Sequence, residues 1–170
     1  MPYISHFASK LGTITLLSDG DFLTGLYFDT QLEKNFEPAK YVKKDHLHVF
    51  VITQEYLESY FKGEETSVLP PLNLKGTPFQ KIVFDELLKI PYGTLITYGE
   101  LADRVAKIRG VSLMSSRAIG HAVGQNPISI IVPCHRVIGA KNKLTGYGGG
   151  IPLKRKLLQI EGHDLTKFKD

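Results

Sequence analysis

The sequence predicts an α+β protein in two parts, a small antiparallel sheet covered by one helix and then a mostly helical part that contains a helix-turn-helix. Three observations carry this. Strand-like alternation is confined to the first 28 residues, whereas helical spacing of apolar residues dominates from residue 77 onward. The charge also changes sign: residues 1–75 carry 7 Lys/Arg against 10 Asp/Glu, net −3, and residues 76–170 carry 14 against 7, net +7. The Pro-rich, pattern-poor stretch 67–76 lies at that change and is read as the boundary between domains 1–75 and 76–170.

Residues 3–8, 12–17 and 22–28 are short alternating runs, punctuated by Gly12 and by Ser18-Asp19-Gly20-Asp21, which predicts a meander of three strands. Residues 46–61 place Leu47, Phe50, Val51, Tyr56, Leu57, Tyr60 and Phe61 near helical spacing, and Gly63 can end that helix. In the second part, Thr77-Pro78 is an N-cap with proline in the first turn, ahead of Phe79, Ile82, Val83, Leu87 and Leu88 on one face. This helix should stop before Pro91. Thr97 caps a helix expected to reach about Val105, and Ser115 or Ser116 caps another to about Val123, with Gly124 beyond it. Those two helices and their turn form the helix-turn-helix. Residues 128–132 read as a short apolar strand or extended run, and Pro152 opens a last helix that ends at Gly162.

With 170 residues, 42% of them hydrophobic, the chain is long enough for two small cores. No apolar run reaches the roughly 20 residues of a membrane span. The start, Met1-Pro2-Tyr3-Ile4-Ser5-His6, lacks the layout of a signal peptide, so a cytoplasmic location and no membrane partner are expected. The single cysteine excludes an internal disulfide and the thiolate set of a structural zinc site. The six histidines show no ligand spacing, so neither a metal nor another cofactor is expected. The basic second part has an electrostatic reason to meet a polyanion, although surface lysines that serve only solubility are the commoner case.

The thiol is Cys134, after the apolar run Ile130-Ile131-Val132. A free cysteine in such a place is most often a buried filler. Its neighbours suit a second reading, as a reagent: Pro133 fixes φ and removes a backbone donor, and His135 supplies a base near neutral pH. Adjacent side chains in an extended segment point apart, so Cys134 and His135 meet only if the chain bends or a water bridges them. The glycine run 146–150 is followed by no Gly-Lys-Ser/Thr, which argues against a nucleotide phosphate loop.

Pro133-Cys134-His135-Arg136-Val137 resembles the active-site motif of the O6-alkylguanine-DNA alkyltransferases, repair proteins that move an alkyl group from guanine to their own cysteine. The likeness extends through residues 91–102, Arg117-Ala118-Ile119-Gly120, Asn126-Pro127, residues 145–149 and residues 154–162, in family order, and so covers nearly all of residues 77–163. It implies an RNase H-like N-terminal domain, matched here only by its order of sheet then helix, and a C-terminal winged helix-turn-helix alkyltransferase domain. It further implies that Cys134 is the acceptor, that His135 takes its proton through a water, and that Glu161 steadies the imidazolium. Tyr98 would donate at guanine N3 and Asn126 would tie the recognition helix to the cysteine loop. Pro133, Val137, Tyr147, Gly148 and Lys154 would form the substrate pocket, with Tyr147 walling the alkyl group and the Gly148 N–H addressing O6.

The reacting atom lies inside a duplex, so the resemblance also implies that the nucleotide is rotated out. Arg117 would fill the vacated stack, while Ala118, Gly120 and Ala122 give the helix a small-residue face for the minor groove. Ser115, Ser116, Gln80 and Lys141 would contact phosphates. The expected partner is double-stranded DNA containing O6-alkylguanine, with O4-alkylthymine as a second candidate lesion, met by a monomer that reacts once. Two features depart from the family pattern: nineteen positions separate Tyr98 from Arg117, which makes residues 107–114 an enlarged turn, and His46 and His48 lack the cysteine partners of a zinc set. Two other functions compete, a cysteine hydrolase with a Cys-His-Glu set and a helix-turn-helix module that binds DNA or senses alkylation without transfer.

Overall fold

The computed structural model describes residues 1–34, 36–66 and 68–170; Asn35, in the polar stretch after the meander, and Ser67, first residue of the Pro-rich stretch, lie outside the described residues. Among the described residues the architecture is mixed α+β, with a four-stranded sheet, a two-stranded pair and five α-helices. Two compact units make it up, one of residues 1–75 with Pro127–Ser129, the other of residues 76–126 and 130–170.

In the first unit, strands β1 (Tyr3–Ser9), β2 (Gly12–Ser18) and β3 (Leu23–Phe28) form the expected antiparallel meander, with a register shift between Leu17 and Ser18. In β2 every residue from Ile14 to Ser18 is buried, and β3 buries Leu23, Leu26 and Phe28. A short strand β4 (Val42–Lys43) adds in parallel to β1, giving the order β3-β2-β1-β4. Helix α1 (His48–Phe61) turns Val49, Phe50, Tyr56, Leu57 and Tyr60 inward, and Phe61 stacks on Phe7 of β1 at 6.2 Å. The outer edge of β3 does not stay open. The Leu23 N–H donates to the Pro71 carbonyl and the Leu23 carbonyl accepts from Asn73, while the Leu26 N–H donates to the Pro127 carbonyl at 2.9 Å and the Leu26 carbonyl accepts from Ser129 at 3.0 Å. Covering an edge in this way removes a template for strand addition.

The second unit packs α2 (Pro78–Leu88), α3 (Tyr98–Arg109) and α4 (Ser116–Gly124) against one another. Each begins at a side-chain cap, in which Thr77 accepts from Gln80, Thr97 from Glu100, and Ser115 from Arg117 and Ala118. Val83, Phe84 and Leu87 of α2, Leu101 and Val105 of α3 and Ile119 of α4 are fully buried. Two short strands, β5 (Ile96–Thr97) and β6 (Val137–Ile138), pair in parallel. Helix α5 (Ile151–Ile160) closes the unit, with Leu158 in a second small cluster beside Ile138, Leu144 and Phe168.

Two expectations are corrected. Residues 107–114 are not all turn, because α3 continues through Arg109 and stops at Gly110, whose φ of 68° lets the Gly110 and Val111 N–H groups bond back to Lys107 and Ala106. The turn is therefore shorter than its spacing suggests, and it leaves Val111 and Leu113 exposed. Residues 128–132 are not a strand: Ile128 makes one isolated bridge to Leu26, and the chain then turns through a buried Ile130 at φ 69°. Such a backbone is costly for a β-branched side chain and persists only where the surrounding structure holds it, here with Ile130 fully buried.

Candidate active site

The bend that the thiol requires is present. Pro133, at φ −82° and ψ 64°, is the centre of an inverse γ-turn in which the Cys134 N–H donates to the Val132 carbonyl at 2.8 Å, and residues Cys134–Arg136 follow as one 3-10 turn. The Asn126 amide, just past α4, donates to the same Val132 carbonyl at 2.8 Å. That one carbonyl thereby ties the end of α4 to the cysteine turn. Cys134 is buried, at 6% exposure.

Glu161, at the end of α5, gathers the base. Its Oε2 meets His135 Nε2 in a short hydrogen bond, and its Oε1 accepts from Arg136 Nε at 2.7 Å and from the Gly93 N–H at 3.1 Å. Burial alone would raise this carboxyl, but His135 and then Arg136 hold it well below the usual carboxylate range. Burial pushes the His135 imidazole below its ordinary value, against the pull of Glu161. Burial also pushes the Cys134 thiol up, opposed by Asn126, Lys154 and Tyr147. At rest the pair is therefore neutral thiol and neutral imidazole, and a thiolate forms only when something takes the proton.

Lys154 is fully buried, with its ammonium donating to the carbonyls of Val137, Thr145 and Gly146 at 2.6, 3.2 and 3.4 Å. It sits 5.8 Å from the Tyr98 ring centre, and burial lowers it to about 8. It therefore acts from behind, clamping β6 to the 145–146 segment and directing positive charge at the thiol. The Tyr98 hydroxyl donates to the Thr145 carbonyl at 3.2 Å and, chiefly through burial, is pushed up to about 12, so it keeps its proton at neutral pH. Tyr147 is half-buried and Gly148 exposed. At Gly149 a Cβ would lie 2.5 Å from the end of the Leu153 side chain and 3.1 Å from the Tyr147 ring, so a larger residue there would have to shift both.

The turn thus brings together Cys134, His135, Glu161, Asn126 and Pro133, while Tyr98 and Lys154 meet at the Thr145 carbonyl and Lys154 also holds Val137. Tyr147 also acts on the thiol, and the candidates assigned to DNA are spread over the first turns of α2 and α4 and the turn at 139–143. Arg117 is exposed in the first turn of α4, after the exposed Ser115 and Ser116, and Ser115 is already occupied as the cap. Ala118 is half-buried, whereas Ala122 is in the core with Ile119 and Val123, so Ala122 does not belong to an open small-residue face. Gln80 accepts from the Thr77 N–H as part of a capping box. Lys141 and Asn142 both have positive φ, the conformation of a tight hairpin tip, between Gly139 and Lys143, which bond at 2.7 Å. Arg136 stands inside the motif without a role in the sequence reading; only its place beside His135 was visible there, since its burial and its bond to Glu161 depend on distant residues. Gly93 and Thr145 contribute only backbone atoms, which no residue pattern announces. Among the described residues no group of three or more His, Cys, Asp or Glu could hold a metal ion, and no helix is long and apolar enough to cross a membrane.

Residues 78–163 match the family described as 6-O-methylguanine DNA methyltransferase, DNA binding domain. The chain is 44% identical to a methylated-DNA–protein-cysteine methyltransferase of Haemophilus influenzae over 94% of its own length and 86% of that protein. It is 45% identical to one of Mycobacterium tuberculosis, with 94% of each chain covered. Among solved structures it is similar to Mycobacterium tuberculosis O6-methylguanine methyltransferase, with a TM-score of 0.81, 44% identity and 98% of each chain covered. It is also similar to that organism's OGT in complex with DNA, with a TM-score of 0.81, 40% identity and coverage of 98% and 95%.

Proposed function

Because this chain belongs to the methylated-DNA–protein-cysteine methyltransferase family, we propose that it repairs DNA by moving the alkyl group of O6-alkylguanine irreversibly onto Cys134. The observation that carries this is a buried, neutral thiol on the same turn as a histidine that is hydrogen-bonded to a buried, ionised glutamate. His135 takes the thiol proton through a water. The sulfur lone pair forms the new C–S bond as the C–O bond breaks, and the electron pair of that bond stays on guanine, which takes up a proton. Asn126, Lys154 and Tyr147 stabilise the sulfur while it is negative, and Glu161 stabilises the imidazolium. Tyr98, still protonated, turns from the Thr145 carbonyl to guanine N3. Pro133, Val137, Tyr147 and the Gly148 N–H shape the pocket, with Lys154 supporting it from behind.

The DNA is double-stranded and carries O6-alkylguanine, with O4-alkylthymine as the second candidate lesion, and the protein acts as a cytoplasmic monomer. Residues 76–170 are the DNA-binding alkyltransferase domain, a winged helix-turn-helix made of α3, α4 and the hairpin tipped by Lys141; residues 1–75 are the RNase H-like domain. Lys141, Ser115, Ser116, Gln80 and the Ala118 side of α4 position the duplex, and Arg117 takes the place of the extruded base. The exposure of Arg117 on the first turn of α4 supports that role. Arg117→Ala is expected to slow reaction with a paired duplex at least tenfold while leaving reaction with free O6-alkylguanine base within about twofold, since only the duplex has a gap to fill. Equal losses on both substrates would remove Arg117 from the flipping step.

The test of the function is the intact mass after mixing with duplex DNA containing O6-methylguanine. The expected result is a gain of one CH2 on Cys134, in a burst of one alkyl group per protein, because the chain holds no second thiol to take the group onward. No gain in mass would leave the non-transferring DNA-binding module. Product accumulating well beyond one equivalent would instead favour the cysteine hydrolase.

A further inference from the structure

Arg136 has no task in the chemistry above, although it lies inside the catalytic turn. It is 6% exposed, with its Nε on Glu161 Oε1 at 2.7 Å, its Nη1 on the Ile90 carbonyl at 2.8 Å, and its guanidinium carbon 5.7 Å from the centre of the Tyr92 ring. A buried ion pair is a poor way to gain stability, since apolar residues of similar volume often do as well. A guanidinium in this position therefore calls for a reason beyond packing.

We infer that Arg136 is a positioning residue that sets the charge of His135: by occupying Glu161 Oε1 it neutralises the carboxylate in advance and keeps the imidazole beside Oε2 uncharged until the thiol gives up its proton. This rests on the assignment of His135 as the base. Without Arg136, a buried carboxylate would face a buried imidazole alone, and the favourable arrangement would be imidazolium with carboxylate, a closed ion pair whose base is already spent. With Arg136 in place, the carboxylate and guanidinium balance. A proton on His135 would then leave the cluster with an uncompensated positive charge, close to the ammonium of Lys154 on α5. Once Cys134 becomes a thiolate the sign reverses, because imidazolium and thiolate balance each other. The proton thus reaches His135 only as the thiolate forms, and does not rest there beforehand.

The groups that face His135 are consistent with this. Glu161 of α5 draws its proton affinity up, while Arg136 of its own turn and Lys154 of α5 push it down, after burial as the largest influence. Cys134 precedes it, and Tyr98 of α3 and Tyr147 act on that thiol. The Gly93 N–H, also on Oε1, holds the carboxylate in orientation without adding net charge.

The test is a titration of isotopically labelled histidine by NMR, with the His135 signal identified by its loss in His135→Gln, together with the pH dependence of alkyl transfer. In Arg136→Gln the imidazole inflection and the acid limb of the rate profile are both expected to move up by about one pH unit, since an opposing charge has been removed beside a buried carboxylate. In Arg136→Lys, which keeps the charge, the inflection is expected to stay within a few tenths of a unit of the parent. An unmoved inflection in a folded Arg136→Gln protein, whatever its rate, would overturn the inference and make Arg136 a scaffold residue. Should Arg136→Gln not fold, an inflection raised by a full unit in Arg136→Lys would overturn it equally. Because the NMR titration needs no substrate, its outcome stands apart from the intact-mass test: loss of alkyl transfer with the expected titration would remove only the proposed function.

Discussion

Replacing Cys134 with alanine is expected to abolish alkyl transfer entirely while leaving affinity for duplex DNA within about twofold of the parent. The chain has one cysteine, so no other thiol can take over. The residues assigned to the duplex, Arg117, Ser115, Ser116 and Lys141, are exposed, whereas Cys134 is buried inside its turn. The truncation removes one buried sulfur, on the order of 1 kcal/mol for so small a cavity, which a folded domain can absorb. Binding measured by anisotropy should also weaken steeply with salt, because its energy comes mainly from phosphates. If Cys134→Ala lost folding and DNA affinity together with transfer, the cysteine would be a core residue in the first place. Transfer that survived the substitution would remove Cys134 as the acceptor.

Local signals carried much of this fold. Thr77-Pro78, Thr97 and Ser115 announced three helix starts because a side-chain oxygen satisfying orphan N–H groups is a short-range event. The meander was legible because short strand-like runs were bounded by turn residues, although β2 is buried on both faces from Ile14 to Ser18. Misses occurred where a partner far along the chain decided the outcome. Val42-Lys43 becomes a strand only because β1 is there to pair with it, and residues 128–132 turn at Ile130 just after Ser129 bonds to Leu26. The length of α3 was a different kind of miss: Ala106, Lys107 and Arg109 are good helix formers and Gly110 is a ready C-cap, so the signal was present and the spacing to Arg117 overrode it.

The candidate site divides in the same way. Cys134, His135 and Glu161 were named through motif resemblance, and their spacing of 26 residues from histidine to glutamate carries no local period that would pair them. The close approach depends on α5 ending beside the 3-10 turn. The resemblance placed Lys154 in the substrate pocket, yet its ammonium is enclosed by three carbonyls. Burial of a long cation is invisible in a sequence until its acceptors are located, and those acceptors are backbone atoms.

Glu161→Gln is expected to cost about 3–5 kcal/mol of stability at neutral pH, because it breaks a buried pair and leaves the Arg136 guanidinium without its counter-charge. The glutamine can still accept from the Gly93 N–H, so the loss is of charge more than of shape. The pH dependence identifies the origin. Glu161 is held below the unfolded value of 4.5, so its contribution is fully present above that pH and is lost as pH falls toward the folded value. His135 acts in the same direction, since the unfolded histidine starts to bind protons near 6.5 while the folded one resists. The parent should therefore lose stability steadily from about pH 6.5 downward, and Glu161→Gln should keep the histidine part of that slope but lose the part below 4.5. Urea denaturation at pH 7, 5 and 3.5 separates the two. Transfer should also fall about a hundredfold at pH 7, since the imidazolium that forms beside the thiolate has lost its anion. A variant as stable as the parent at pH 7 would show that the pairs with His135 and Arg136 contribute nothing net. If the stability fell as expected but transfer in the folded fraction stayed at the parent rate, Glu161 would hold the turn together without taking part in the proton movement.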